Sequence, residues 1–164
     1  MENLVENISK SVAIELLFEE MPTRPTANAI FREARKIFGD INIINRDEND
    51  IEFSVDKFVA YNEDNTTSPV VLAMGNITDF DDKVAVSEFE RTQIWNVANS
   101  EELLSKYKYA VKIWDVNAQR QIPKERAIML VDWLNVALKL YPKCQAIWIK
   151  SAGKLQLAQS IKNL

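Results

Sequence analysis

The stretch that decides the fold is residues 108–150, KYAVKIWDVNAQRQIPKERAIMLVDWLNVALKLYPKCQAIWIK. It begins with an apolar run, Tyr109–Val116, rich in β-branched and aromatic residues, and ends with a shorter run of the same kind, Ala146–Ile149. Between them, residues 123–141 start with a proline and carry apolar side chains around more than half of a helical circumference. The stretch predicts one strand–helix–strand unit, with its helix on the sheet and buried on more than one side.

The first part of the chain repeats this pattern. Residues 12–18 form an apolar run that only Glu15 interrupts, which predicts a buried strand. A helix follows, with Pro25 as its first-turn proline and Gly39 as its left-handed stop, and residues 41–44 predict a short strand. The two halves predict an α+β fold: a layered sandwich with ferredoxin-like β-α-β halves that share one mixed, mostly antiparallel sheet packed by two main helices.

The middle of the chain predicts further antiparallel strands. Residues 51–55 and 58–61 are separated by Asp56 and Lys57, which we interpret as a tight turn. The polar segment 62–68 is typical of a protruding hairpin tip, and it precedes another predicted strand that covers residues 70–74. Farther on, we expect a short helix at 101–107 and a weak helical pattern at 155–164, whereas residues 84–95 show no single period.

Composition predicts one cytoplasmic domain spanning residues 1–164. The chain is 47% hydrophobic with a net charge of −4, and no basic stripe is present that would favour nucleic acid. Three charged residues within residues 1–10 argue against a signal peptide, and no apolar run approaches the roughly 20 residues that cross a bilayer. We expect residues 1–10 to be flexible and the chain, whose last helical pattern stops abruptly, to be cut from a longer protein.

The sequence predicts no catalytic residue, cofactor or metal. Histidine is absent, which excludes Ser-His-Asp, Cys-His and His-containing zinc sites, and no glycine-rich phosphate loop occurs. Without a histidine base, the basic neighbour Lys143 does not make Cys144 a predicted nucleophile. A carboxylate pair such as Asp115 with Asp132 stays open, because spacing alone does not establish the separation that catalysis requires.

A cluster of aspartates, which lies in the loop after residue 78, could in principle bind a hard cation. Its spacing lacks the glycine and the distal glutamate of a calcium loop, so we interpret it as a solvated turn with helix-capping side chains. Its members are Asp79, Asp81 and Asp82.

Four tryptophans are candidates for a core or for a binding surface. Trp133 and Trp148 lie in strongly apolar elements and are predicted core residues. Trp95 is a candidate for a partly exposed anchor, and together with Arg91 and Asn96 it forms the predicted protein-binding site. For Arg91 an internal ion pair with an adjacent glutamate is the plainer interpretation.

Four segments resemble a known family in their order along the chain. They are VAIELLFEEMPTRPTANAIFREARKIFG (12–39), ERTQIWNVANSEELLSKYKYAVKIWDVNA (90–118), ERAIMLVDWLNVALKLYP (125–142) and QAIWIKSAGKL (145–155). Together they are similar to the bacterial domain of unknown function 4261 family, although the loop 62–68 departs from the compact hairpin expected there. The resemblance implies a fold and a bacterial source, and it carries over no catalytic residue because that family has no assigned activity.

These observations favour a non-catalytic domain that binds another protein, for example an accessory or immunity-type protein of a bacterium. Small size, mild acidity, missing catalytic motifs and several large aromatic residues are the features behind this hypothesis. Two alternatives stay open: a hydrolase that acts through carboxylates or a divalent metal, and a structural subunit of a larger assembly, for which a homo-oligomer would be the simplest case.

Overall fold

The computed structural model describes residues 12–47, 49–94, 97–118 and 120–162. Its centre is a seven-stranded sheet with the spatial order β2-β3-β4-β5-β1-β6-β7. The strands are β1 Ala13–Phe18, β2 Ile41–Arg46, β3 Asp50–Tyr61, β4 Thr67–Asp79, β5 Tyr109–Val116, β6 Ala146–Ile149 and β7 Lys154–Leu157. The α-helices are α1 Ala27–Phe38, α2 Asp82–Ala85, α3 Glu88–Gln93, α4 Ser100–Lys106, α5 Pro123–Leu140 and α6 Ala158–Lys162. The layered α+β prediction is confirmed.

The strand–helix–strand unit at residues 108–150 is also confirmed. Strand β1 pairs antiparallel with β5 on one side and with β6 on the other. Strands β5 and β6 therefore run parallel with β1 between them, and α5 connects them, which is a split β-α-β unit. In the other half, β1 and β2 run parallel with β5, β4 and β3 between them. Every pair of neighbouring strands in the described sheet is antiparallel.

One face of the sheet packs against the two long helices, as the sequence predicts. Helix α1 contributes Ile30 and Phe31, and α5 contributes the fully buried Trp133. The Trp133 ring stacks edge-on against Phe53 of β3 with ring centroids 5.2 Å apart. Its indole Nε1 donates a hydrogen bond to the Ala73 carbonyl at 3.1 Å, so the polar atom of this core residue is satisfied.

A second core lies on the opposite face. Side chains alternate along a strand, so Leu17 of β1 points away from the α1 and α5 side and joins the fully buried Trp148 and Leu155. Residues 82–106, which hold α2, α3 and α4 and are called the helical insert below, cover these side chains through residues such as Leu104. The core location predicted for Trp133 and Trp148 is thus confirmed, although they lie on different faces.

The predicted start of α1 is corrected. The helix begins at Ala27, and the Thr26 hydroxyl accepts a hydrogen bond from the Ala29 N–H at 3.1 Å. Thr26 is therefore the N-cap, and Pro25 precedes the helix instead of lying in its first turn. The predicted stop is confirmed, because Gly39 ends the helix with φ of 73°, a left-handed conformation that glycine adopts without strain.

The predicted turn at Asp56 and Lys57 is wrong. Strand β3 continues through both residues, and its register against β4 shifts between Val55 and Val59. This irregularity accommodates the extra residues and lets Phe58 reach the core, where it is buried. A hairpin tip follows β3 as predicted, and the Asn62 N–H donates to the Thr66 carbonyl at 2.8 Å. The tip is shorter than predicted, because β4 already begins at Thr67, and β4 extends to Asp79 beyond the predicted residues 70–74.

The end of the chain also differs from the prediction. Residues 154–157 form β7 beside β6, with Leu155 opposite Trp148, and the short helix α6 follows. The prediction for residues 1–10 lies outside the described residues. Within the described ranges, no helix combines the length and the apolar character needed to span a bilayer.

Candidate functional site

The helical insert consists of three short helices that depend on their caps. The Asp81 carboxylate accepts a hydrogen bond from the Lys83 N–H at 3.1 Å, which confirms the predicted capping role for this member of the aspartate cluster. Asp79 instead ends β4, and Asp82 is the first residue of α2. Helix α3 starts with a complete capping box. The Ser87 hydroxyl accepts from the Glu90 N–H at 3.1 Å, and the Glu90 carboxylate accepts from the Ser87 N–H at 3.0 Å. Such local bonds fix helices that are too short to form alone.

Arg91 ties α3 to α2. Its guanidinium Nη2 donates to the Asp82 carbonyl at 2.7 Å and to the Asp82 carboxylate at 3.0 Å. An internal ion pair is therefore present, but its partner is Asp82 and not an adjacent glutamate, because α2 folds back beside α3. Both side chains are largely buried, so this pair orients the two helices more firmly than an exposed surface pair would.

A groove of about 800 Å³ lies on the insert around this ion pair. Charged side chains dominate its walls, and Val86 adds apolar surface. Its lining residues are Asp82, Lys83, Val86, Glu88, Arg91, Thr92 and Glu101.

Two large apolar side chains stand out from the insert beside the groove. Val84 of α2 is 82% exposed and Phe89 of α3 is 74% exposed. The sequence analysis missed both as site residues. The available signal was the aperiodic apolar pattern of residues 84–95, because apolar residues that share no helical face cannot all enter one core.

Trp95 and Asn96, the other members of the predicted site, lie outside the described residues. Their neighbours on either side, Ile94 and Val97, pack in the second core. Of the three predicted site residues, the structure places only Arg91.

The insert and the three residues before it carry a net negative charge. Residues 79–106 contain seven acidic and three basic residues, a net charge of −4, and the insert itself, residues 82–106, contains five acidic and three basic residues, a net charge of −2. Lys150, just after β6, binds the insert to the sheet: its Nζ lies 3.6 Å from Glu90 Oε1 and donates to the Ala85 carbonyl at 3.5 Å. Burial raises the pKa of Glu90, but the Ser87 hydrogen bonds and the charge of Lys150 outweigh burial and hold it below its usual value.

Asp115, one member of the carboxylate pair that the sequence left open, forms a buried ion pair. Its Oδ2 accepts from Arg126 Nε at 2.7 Å and its Oδ1 accepts from Arg126 Nη2 at 2.9 Å. The Val12 N–H also donates to Oδ1 at 2.8 Å. This carboxylate connects β5, α5 and the start of β1, which is a structural role.

Cys144 is buried beside β6, and its Sγ donates to the Ala146 carbonyl at 3.2 Å. A thiol in this environment is shielded from substrates and lacks the exposed, electropositive setting of reactive cysteines. For metal binding, the described part of the chain holds no group of three or more potential Cys, Asp or Glu ligands.

Glu15 is a titratable residue that the sequence analysis treated only as an interruption of β1. It lies opposite Lys112 of β5 and Trp148 of β6. Burial raises the pKa of its carboxyl group, and the charges of Lys112 and Lys150 oppose that shift in part. A glutamate inside an otherwise apolar strand was the signal that could have identified it.

The chain was compared with family models, with curated proteins and with solved structures, and none of them matches it. The resemblance to the bacterial domain of unknown function 4261 family therefore stays a prediction based on the four quoted segments.

Proposed function

We propose that this protein is a non-catalytic interaction module that binds a partner protein through the helical insert. The observation that carries the proposal is the exposure of Phe89 and Val84 beside the charged groove. Aromatic side chains contribute much of the binding energy in protein interfaces when they enter a pocket of the partner. The partner surface would offer an apolar pocket for Phe89.

The way the insert is held supports this role. The Ser87–Glu90 capping box and the Arg91–Asp82 ion pair fix α3 relative to α2 before any partner arrives. A preorganised anchor loses little conformational entropy on binding, so more of the contact energy appears as affinity. Arg91 then acts by positioning Phe89.

The charge of the insert defines the rest of the partner. The groove is lined by three acidic side chains, Asp82, Glu88 and Glu101, and by two basic ones, Lys83 and Arg91. Because Arg91 is paired with Asp82, the two glutamates leave the groove with a net negative charge. A partner with basic side chains around its apolar pocket would be attracted at long range and oriented on approach. With the family resemblance, this favours an accessory or immunity-type protein of the bacterial cytoplasm.

The test is affinity capture of the tagged protein from cells of its native source, followed by binding measurements with the purified partner. Wild type and two variants, Phe89→Ala and Val131→Ala, are compared. Val131 is the matched control because it is also an exposed apolar residue, but it lies on α5. We expect Phe89→Ala to weaken binding by about 2 kcal/mol, roughly thirtyfold, and Val131→Ala to leave it unchanged.

Stopped-flow kinetics at increasing salt check the charge argument, since the association rate with a basic partner falls as screening increases. Equal capture of one stoichiometric partner by wild type and Phe89→Ala would overturn the assignment of the insert as the binding surface.

A further inference from the structure

Strand β2 is the outer strand on one edge of the described sheet. It pairs with β3 on its inner side, and no described strand lies on its outer side. Edge strands present unpaired backbone N–H and C=O groups, and soluble proteins usually protect them with lysine, proline, a β-bulge or a covering element; of these devices β2 has a bulge. The sequence of β2, INIINR, contains neither lysine nor proline.

The single charged side chain of β2 turns away from the edge. Arg46 Nη2 donates to Asn28 Oδ1 at 3.0 Å, and its guanidinium carbon lies 5.9 Å from the centre of the Phe31 ring. Both contacts hold the arginine against α1. The charge that could block another strand is therefore directed towards the protein's own helix.

Two isoleucines occupy the middle of this edge. Ile43 is 42% exposed and Ile44 is 55% exposed. The register between β2 and β3 shifts between Ile43 and Asn45, so Ile44 is the extra residue of a bulge. The bulge leaves both isoleucine side chains partly exposed at the edge, where they form a small apolar surface next to unpaired backbone groups.

We propose that β2 pairs antiparallel with β2 of a second copy of this chain and joins the two seven-stranded sheets across a two-fold axis. Two-fold pairing requires a self-complementary strand. Antiparallel pairing about the centre of β2 sets Ile43 opposite Ile44, and Asn42 opposite Asn45, in each direction. Apolar side chains then meet apolar ones, and amides meet amides.

The symmetric order Asn-Ile-Ile-Asn at residues 42–45 favours a second copy over an unrelated peptide, because only a strand with this order pairs identically in both directions. Arg46 lies opposite Ile41 in this register and stays held against α1. Asp40 and Asp47 lie opposite each other beyond the two ends of the strand, and these like charges weaken the pairing. A six-residue strand gives an interface at the small end of the usual range, so the dimer depends on concentration.

Analytical ultracentrifugation of the full chain between about 1 and 500 μM tests the proposal. We expect the weight-average mass to rise from 18.8 kDa towards twice that value. In the Ile44→Lys variant the mass should stay at the monomer value, because a lysine at an edge places a charge where the second strand would pair. Val84→Lys is the matched control, since it adds the same charge at an exposed β-branched residue of the insert. It should dimerise like wild type.

Cysteine cross-linking locates the contact independently. Cys144 is buried, so an added Ile43→Cys or Ile44→Cys thiol is the accessible one. Mixing the two variants under mild oxidation should give a disulfide-linked dimer, whereas a Val84→Cys variant should not. A monomer at every concentration, a dimer that survives Ile44→Lys, or equal cross-linking through residue 84 would each overturn the proposal. None of these results bears on the function proposed for the helical insert.

Discussion

The carboxylate of Asp115 is fully buried, and the Arg126 guanidinium balances its charge through two short hydrogen bonds. Removing the cation leaves a buried negative charge that has lost its balancing partner. We therefore expect Arg126→Met to reduce the free energy of unfolding by about 3 kcal/mol, although the methionine side chain keeps most of the packing of the arginine.

Urea denaturation at neutral pH measures this loss. Lys124→Met, which removes a positive charge from an exposed position of the same helix, should change stability by no more than about 0.5 kcal/mol. Similar values for the two variants would mean that the Asp115–Arg126 pair contributes no more than a surface charge.

Glu15 should make the stability of the protein depend on pH. Because burial raises the pKa of this carboxyl group above its unfolded value, the folded state favours the protonated form. Its contribution to stability is fully present below the unfolded pKa and is lost as pH rises through the folded pKa. At pH 7 the ionised side chain costs stability, so Glu15→Gln should stabilise the protein there by up to about 0.5 kcal/mol.

That gain should disappear below about pH 4, where Glu15 is protonated in both states. Thermal unfolding of wild type and Glu15→Gln between pH 3.5 and 8 measures it. A constant difference across this range would contradict a raised pKa. Glu88→Gln, an exposed glutamate of the insert for comparison, should not produce the same trend.

At the scale of the elements, α3 should depend on its N-terminal cap. Ser87→Ala removes the hydroxyl that accepts the Glu90 N–H and breaks the capping box, at a cost of about 1 kcal/mol. We expect this loss in chemical denaturation, together with weaker partner binding, because Phe89 would no longer be held in place. Ser105→Ala in α4 is the control, since its hydroxyl donates within the helix to the Glu102 carbonyl and caps no N-terminus. Loss of binding in both variants would contradict a specific role for the α3 cap.

The elements that the sequence predicted correctly are those whose pattern is local. The apolar run of β5, the proline and apolar periodicity of α5, and the glycine after α1 each act within a few residues. Two misassigned elements depend on partners that are distant in sequence. Strand β3 continues because its bulge fits against β4, and residues 154–157 form a strand because Trp148 lies opposite Leu155.

The candidate site shows the same division. Arg91 was identified from its type and its position near Trp95, but its partner Asp82 depends on how α2 folds back beside α3. The exposure of Phe89 was not predictable from local pattern, because it follows from which side chains of the insert fill the second core. Aperiodic apolar residues signalled a surface in this region without locating it.

For the whole molecule, the two cores on opposite faces of the sheet should differ in stability. Strand β1 is paired on both sides and lies between the cores, whereas the insert consists of helices of four, six and seven residues. Short helices at the edge of a core open locally at a lower free energy than central strands do. We expect amides of residues 82–93 to exchange hydrogen by local opening, and those of β1 and β5 to exchange only by global unfolding.

Two leucine variants test in hydrogen-exchange mass spectrometry whether the insert opens separately from the sheet. Leu104 is fully buried in the second core, and Leu72 is fully buried in the core that the sheet forms with α1 and α5. Each change to alanine should lower the stability of the unit that contains the leucine by about 2 to 5 kcal/mol. Leu104→Ala should speed exchange in the insert and leave β5 nearly unchanged, whereas Leu72→Ala should speed exchange in both. Equal acceleration of both regions by Leu104→Ala would show one cooperative unit. In that case the binding surface that we propose on the insert would share the stability of the sheet, since no local opening could remove it.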